Sequence, residues 1–138
     1  MLGAKMGIDL TVPEWLQSKV GQWKDALHMA EWEVAIGLAL TPNGNADCLA
    51  LADQFPDLNF GRIVFRADIE NNRFGEETIV HELLHIKHSR IDHFIEGVMI
   101  PNIDDGSLIC SMTYRQLIEP YINSMAKALV DMKVKNAQ

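Results

Sequence analysis

One short run of the sequence, His81-Glu82-Leu83-Leu84-His85, combines side chains that can bind a metal ion and transfer a proton. Residues four apart on an α-helix lie on one face, one turn above each other. His81 and His85 can therefore offer two imidazole nitrogens to one metal ion, at about 2.0–2.1 Å each if the ion is zinc. Glu82 would not be a ligand, but its carboxylate could reach a water molecule in the open coordination position and act as its general base.

The sequence around this run has the pattern of an amphipathic helix. The stretch 76–88 contains no proline and no glycine. Its apolar residues recur at helical spacing, at Ile79, Val80, Leu83, Leu84 and Ile86. Asn72 or Gly75 is the predicted start, and the helix is expected to reach Arg90 or continue to Gly97. This context favours a metal site over the alternative, two unrelated surface histidines beside a solvated glutamate.

A catalytic zinc site uses three protein ligands plus water, so the chain must supply a third ligand. The candidates are His88, Asp92, His93 and Glu119. Three ligands on one straight helix cannot surround a metal tetrahedrally, which argues against His88, and His93 would need a break in the helix. Glu119 belongs to a later predicted helix, so it can approach from a second direction. We predict Glu119 as the third ligand, in a buried or site-facing position because of its apolar neighbours Leu117, Ile118 and Tyr121, with His93 as the next candidate.

Other polar side chains could assist the same chemistry. Tyr114 and Tyr121 flank Glu119, and a tyrosine hydroxyl can donate a hydrogen bond to the oxyanion that develops on a scissile carbonyl. We name Tyr114 for this role, with a core tyrosine as the alternative. Asp68 or Asp92 could orient a ligand histidine through its second ring nitrogen. The spacing does not select between the two aspartates.

The remaining sequence predicts the elements that must position these residues. Hydrophobic periodicity predicts a first helix over 11–29, strands over 31–40 and 62–69, a weaker strand over 48–54, and a last helix over 107–134. Pro120 is expected to kink or restart the last helix. The strand at 62–69 carries charges on one face. If it lies near the end of its sheet, it could pair with an extended peptide, and a solvated sheet face is the alternative.

At the motif and in the order of its elements, the chain resembles the minimal gluzincin-type zincins, small metallopeptidases of phages and prokaryotes. The resemblance extends from about Trp15 to Leu129, and only the run 81–85 is specific. The sequence departs from the family around Glu119, where Ile118 precedes it and Asn123 follows four residues later. The family has an asparagine and an aspartate at these two positions.

The resemblance implies a fold, a cofactor and an activity. The implied fold is α+β and zincin-like, in one domain over residues 1–138, with a small and mostly antiparallel sheet packed against the N-terminal, motif and C-terminal helices. One Zn²⁺ per chain would be bound by His81, His85 and Glu119. With Glu82 as general base, the expected activity is hydrolysis of peptide bonds in a peptide or protein substrate. The alternative is a zincin-like module that binds metal or a protein partner without cleavage, because so small a chain has little material for a deep specificity cleft.

Composition excludes other classes of function. The net charge is −7 and no basic run is present, so nucleic-acid binding is not expected. No apolar stretch approaches the roughly 18 residues of a membrane span, and no secretory signal is recognised at the N-terminus. Cys48 and Cys110 form no C-x-x-C pair, which excludes a cysteine-rich zinc site. We expect them to be reduced core thiols in a cytoplasmic protein.

Overall fold

The computed structural model describes residues 10–102 and 107–137. The N-terminal residues 1–9 and part of the predicted loop before the last helix, 103–106, lie outside this range. Its helices and strands, in chain order, are α1 (Glu14–Ala26), β1 (Glu33–Ala39), β2 (Ala50–Phe55), β3 (Phe60–Arg66), α2 (Arg73–Phe94) and α3 (Ser107–Ala137). The α+β class predicted from the sequence is confirmed.

The three strands form a mixed sheet in the order β1-β3-β2. β1 runs parallel to β3 with Glu33 opposite Phe60, and β2 runs antiparallel to β3 with Phe55 opposite Phe60. Only one of the two pairings is therefore antiparallel, where a mostly antiparallel sheet was expected. β1 and β2 run in opposite directions. Because β3 lies between them, it can be parallel to only one of the two.

β3 occupies the centre of the sheet, which corrects one expectation. The predicted strand at 62–69 was considered as a partner for an extended peptide, yet both edges of β3 are already paired. Pairing with an added strand needs free backbone groups at an edge. Among the described strands, β2 lies at an edge of the sheet, and α2 packs against this strand.

The sheet and α2 approach each other closely at a glycine. Alternate residues of β3, namely Gly61, Ile63 and Phe65, are buried. A Cβ atom added at Gly61 would lie 2.7 Å from the Ile86 side chain of α2. Real side chains do not approach so closely, so the absence of a side chain at Gly61 allows α2 to lie against the sheet at the level of the histidine run.

α1 is shorter than the predicted helix at both ends. Pro13 has an extended backbone with a ψ of 150° and provides no side-chain cap, so the helix begins at Glu14 instead of Thr11. After Ala26 the chain turns toward β1, and His28 takes a left-handed φ of 57°. One face of α1 enters the core through Leu16, Val20 and Trp23.

α2 begins where the sequence predicted. The Asn72 side-chain oxygen accepts a hydrogen bond from the Gly75 backbone N–H at 2.8 Å, which caps the helix. The predicted apolar stripe is buried, at Ile79, Val80, Leu83, Leu84 and Ile86. The α-helical part ends at Phe94, and a π-helical turn continues it over Ile95–Met99.

α3 is one continuous helix that includes Pro120, so the predicted restart does not occur. Ile122, Ala126 and Val130 pack into the core. Leu117 and Tyr121 face solvent with exposed fractions of 68% and 50%. The buried residues of α3 therefore lie in the second half of the helix.

Two expectations from composition can be compared with the structure. Cys48 and Cys110 are free and only partly buried. Within residues 10–102 and 107–137, no helix combines the length and the apolar character that crossing a membrane requires.

A buried carboxylate joins the three helices. The Glu76 side chain, at the start of α2, is 9% exposed. It accepts hydrogen bonds from the Trp23 indole N–H of α1 at 2.6 Å, from Lys19 of α1 at 3.3 Å and from Lys133 of α3. Burial alone would raise the pKa of Glu76, but the hydrogen bonds from Lys133 and Trp23 outweigh it and hold the pKa below its usual range.

Replacing this carboxylate tests its contribution to stability. Glu76→Gln is expected to lower the free energy of unfolding at neutral pH by about 2 kcal/mol, because two ammonium groups lose their charged acceptor. Since the folded-state pKa is depressed, the contribution is present above the unfolded-state pKa and is lost as pH falls through the folded-state value.

Urea unfolding of both proteins, from about pH 7 down to about pH 3, measures this difference. The difference in the free energy of unfolding between the wild type and Glu76→Gln should decrease as the pH falls. Glu31→Gln, at an exposed position, is the control, and its free energy of unfolding should equal that of the wild type at each pH. A gap that stays constant with pH would contradict the assigned role of the Glu76 charge.

Candidate metal centre

The two motif histidines lie at the margin of the buried face of α2. Because Leu83 and Leu84 are buried in the core, the helix is rotated so that His81 and His85 emerge together on the side of α3. Their side chains are only 18% and 22% exposed. Their ring centroids are 4.9 Å apart. The helical spacing predicted from the sequence is therefore present, with both rings turned toward one point.

Glu119 of α3 reaches that point from the opposite side. Its Oε1 lies 2.8 Å from His81 Nε2, and its Oε2 lies 3.0 Å from His85 Nε2. The Glu119 side chain is 56% exposed, so it faces the site without being buried. The structure brings together the three residues that the sequence nominated as ligands.

The geometry of these three side chains fits a metal ion. Their ligand atoms all lie within 4.8 Å of one another. A tetrahedral zinc ion with bonds of about 2.0–2.1 Å separates its ligands by roughly 3.3 Å, so small side-chain movements suffice. Each imidazole Nε2 faces one carboxylate oxygen of Glu119, and a bound ion would take the place of these direct contacts. Within the described residues, no other group of three or more His, Cys, Asp or Glu side chains satisfies this distance criterion.

The protonation state of His85 suits a ligand. Burial lowers the pKa of His85, and the negative charge of Glu119 opposes this effect only in part. The imidazole is therefore favoured in its neutral form, which is the form that coordinates metals.

Glu82 lies next to His81 in a cavity of about 410 Å³. This cavity, which we call the His81-side cavity, is lined by both His81 and Glu82. Burial, with a smaller contribution from the charge of Glu119, raises the pKa of Glu82 to about 7. A carboxylate whose pKa is near neutrality can both accept and return a proton, which is the requirement for a general base.

Tyr114 has a partner that the sequence did not indicate. Its hydroxyl donates a hydrogen bond to Asp92 Oδ1. Burial and this hydrogen bond raise the pKa of Tyr114, so the hydroxyl stays protonated. Asp92 in turn acts electrostatically on His85, whereas Asp68 forms an ion pair with Arg66 at 2.7 Å. Of the two aspartates considered for orienting a ligand histidine, Asp92 is the one near the site.

The alternative third ligands lie apart from the cluster. His93 lines a second cavity beyond His85 but does not join the group of three. His88 packs edge-on against the Tyr121 ring, with the centroids 6.2 Å apart. Neither histidine shares the point on which the two motif imidazoles and Glu119 converge.

Several residues of the His81-side cavity were not singled out for it by the sequence. Lys127 lines it together with Asn123. In the sequence, Asn123 stands out only as a departure from the family pattern around Glu119. They follow Glu119 at four-residue steps along α3, so helical spacing is a signal that could have identified them. Asp47 also lines the cavity but comes from the loop before β2. No local pattern links Asp47 to the site, because only the sheet brings this loop to α2.

Comparison of the chain with protein-family models, with curated proteins and with solved structures found no match. Function is therefore inferred from the arrangement of side chains at the candidate metal centre.

The three candidate ligands can be tested by zinc binding. Elemental analysis of the untagged protein is expected to find about one zinc per chain, as the single cluster allows. Glu119→Ala should weaken zinc binding by at least about 100-fold, since removing a direct ligand costs more than removing an outer-shell partner.

His93→Ala is the matched variant for the alternative ligand, and it should keep the affinity of the wild type. Competition with a chromogenic chelator measures both dissociation constants. Full affinity in Glu119→Ala combined with a loss in His93→Ala would assign the third ligand to His93 instead.

Proposed function

We propose that this protein is a zinc-dependent peptidase with a minimal zincin-like fold. One observation carries the proposal: two imidazoles of α2 and a carboxylate of α3 converge on one point, with the carboxylate of Glu82 beside them. The donor set of two histidines and one glutamate is one that catalytic zinc sites use. Such sites leave a coordination position for water or substrate.

His81, His85 and Glu119 would hold the ion, which when bound supplies a Lewis acid that polarises a carbonyl group and acidifies a water molecule. Glu82 then accepts a proton from the attacking water at its carboxylate. The carbon–nitrogen bond of the peptide breaks when Glu82 returns this proton to the leaving amine. The burial of Glu82 next to Glu119 supports both transfers, because a partly desolvated carboxylate accepts a proton more readily than one in water.

Tyr114 is proposed to stabilise the oxyanion that forms on the substrate carbonyl. Its hydroxyl is kept protonated, and its partner Asp92 is close enough to the site to act electrostatically on His85. To act in this way it must exchange its hydrogen bond with Asp92 for one with the substrate.

A second function is a metal- or protein-binding module without catalysis. The observation in its favour is the exposure of the site, since more than half of the Glu119 side chain is exposed to solvent. The observation against it is Glu82, because a binding module needs no partly buried base beside its metal. We therefore prefer the peptidase, with a peptide or protein as its substrate and no nucleic acid partner. Free Cys48 and Cys110 support a cytoplasmic location.

Glu82→Gln separates catalysis from metal binding. It should lower kcat by about 10²–10⁴-fold or below detection, because glutamine cannot accept the proton, while the zinc content stays at the level of the wild type. Hydrolysis of a fluorogenic peptide library and elemental analysis measure the two quantities. Unchanged hydrolysis in this variant would remove Glu82 from the mechanism.

Tyr114→Phe tests the oxyanion role against a purely orienting one. Loss of an oxyanion donor should reduce kcat by about 10²–10³-fold with unchanged zinc affinity. If Tyr114 only holds Asp92 near His85, the variant should instead bind zinc more weakly and keep most of its kcat. Tyr121→Phe, at an exposed position of the same helix, is the control and should change neither quantity.

A further inference from the structure

α3 exposes one uncharged face along the middle of its length. Residues that follow each other at steps of three or four lie on the same side of a helix, and five such positions of α3 are exposed to solvent. We call this set the α3 outer face, and its members are Thr113, Leu117, Tyr121, Ser124 and Ala128. None of the five carries a charge, although the chain has a net charge of −7.

The outer face points away from the candidate metal centre. Glu119 is two residues from both Leu117 and Tyr121, so the helix places it on nearly the opposite side of α3 from each of them. Tyr121 instead packs against the ring of His88. A molecule bound to the outer face would therefore leave the approach to Glu119 open.

The exposed apolar surface continues from α3 onto α2. Tyr121 contacts His88, and the Tyr114 hydroxyl donates a hydrogen bond to Asp92. Ile91 lies between the two α2 residues of these contacts, and Leu117 lies between the two α3 residues, so both are at the same level of the helix pair. Ile91 is 54% exposed, as expected for a surface that no described element covers.

The size of this surface corresponds to one side of a protein dimer. Aromatic side chains present about 150–250 Å² each and smaller ones less, so the outer face and Ile91 at about half exposure present roughly 400 Å². A standard interface buries about 800 Å² on each partner, of which about 57% is apolar. The exposed surface therefore supplies most of the apolar area that such an interface needs.

The order of large and small side chains on the outer face is self-complementary. A second α3, antiparallel to the first about a two-fold axis beside Tyr121, places Leu117 opposite Ser124 of the second copy. It also places Thr113 opposite Ala128 of the second copy. Each larger side chain then meets a smaller one, as the packing of ridges into grooves requires.

The absence of charge on the outer face also favours a second copy. Two identical faces without charged groups meet without like-charge repulsion, whereas a strongly charged partner finds no complementary group there. Glu96 and Arg115, which are charged residues of the same helix pair, already form an ion pair with each other at 2.6 Å.

We propose that the α3 outer face is the interface of a homodimer, in which the α3 helices of two copies pack antiparallel. A two-fold axis buries the same face on both chains, so the assembly closes at two copies. This inference does not rest on the proposed peptidase function.

Sedimentation velocity of the full chain tests the interface. The wild type should form dimers as its concentration rises from about 1 to 100 μM. Leu117→Glu should raise the dissociation constant at least about 100-fold, because it brings two like charges into the interface. Met112→Glu is the matched control, since Met112 is an exposed residue on the other side of α3, and it should leave the dissociation constant unchanged.

A charge exchange tests the antiparallel pairing. Because Leu117 lies opposite Ser124 of the second copy, the double variant Leu117→Glu/Ser124→Lys should recover most of the affinity that Leu117→Glu loses. Ser124→Lys alone should weaken the dimer, because it also brings two like charges into the interface. Urea unfolding of each variant checks that the substitution leaves the chain folded.

Three results would contradict the proposal. A wild type that stays monomeric up to about 100 μM would overturn it and assign the outer face to a different partner. A dimer that Leu117→Glu does not weaken, or that Met112→Glu weakens equally, would form through another surface. Absence of recovery in the double variant would overturn the antiparallel pairing. None of these results bears on peptide hydrolysis, which the kinetics of the Glu82 variant test separately.

Discussion

The arrangement of the candidate site depends on the buried carboxylate of Glu76. Three donors from α1 and α3 meet it at the start of α2, and a buried charge is stable only when its hydrogen-bonding capacity is used. This requirement fixes how α3 lies along α2. Since Glu119 is carried by the same α3 that supplies Lys133, the junction at one end of the helix pair determines where the carboxylate meets the two histidines at its middle.

α2 serves the core and the site at once. Its central apolar residues are buried between the sheet and the other helices, and Gly61 allows the sheet to lie close to it; these residues are Ile79, Val80, Leu83, Leu84 and Ile86. The residues between them in sequence, His81, Glu82 and His85, are left at the boundary between core and solvent. This boundary position explains the shifted pKa values, because partial burial raises that of Glu82 and lowers that of His85. The packing of the core and the chemistry of the site therefore have the same cause.

The open character of the site follows from the small number of elements. Three strands and three helices cover the core, and no further described element lies over Glu119, which stays more than half exposed. The cavity beside His81 is bounded by β2 with the loop before it, α2 and α3, and the cavity beside His85 by β2, α2 with its π-helical turn, and α3.

The local features of the site, namely its helix and the shared face of its two histidines, could be predicted from the sequence. Helical periodicity and the Asn72 cap predicted α2, and four-residue spacing put His81 and His85 on one face, because these properties depend on neighbours in the chain. Glu119 was predicted on the ground that a third ligand must come from a second helix. The central position of β3 and its parallel pairing with β1 are known only from the folded structure. The same is true of the hydrogen bond between Tyr114 and Asp92, and of the positions of Asp47 and Lys127 at the site. These features depend on contacts between residues far apart in sequence, which no local pattern encodes.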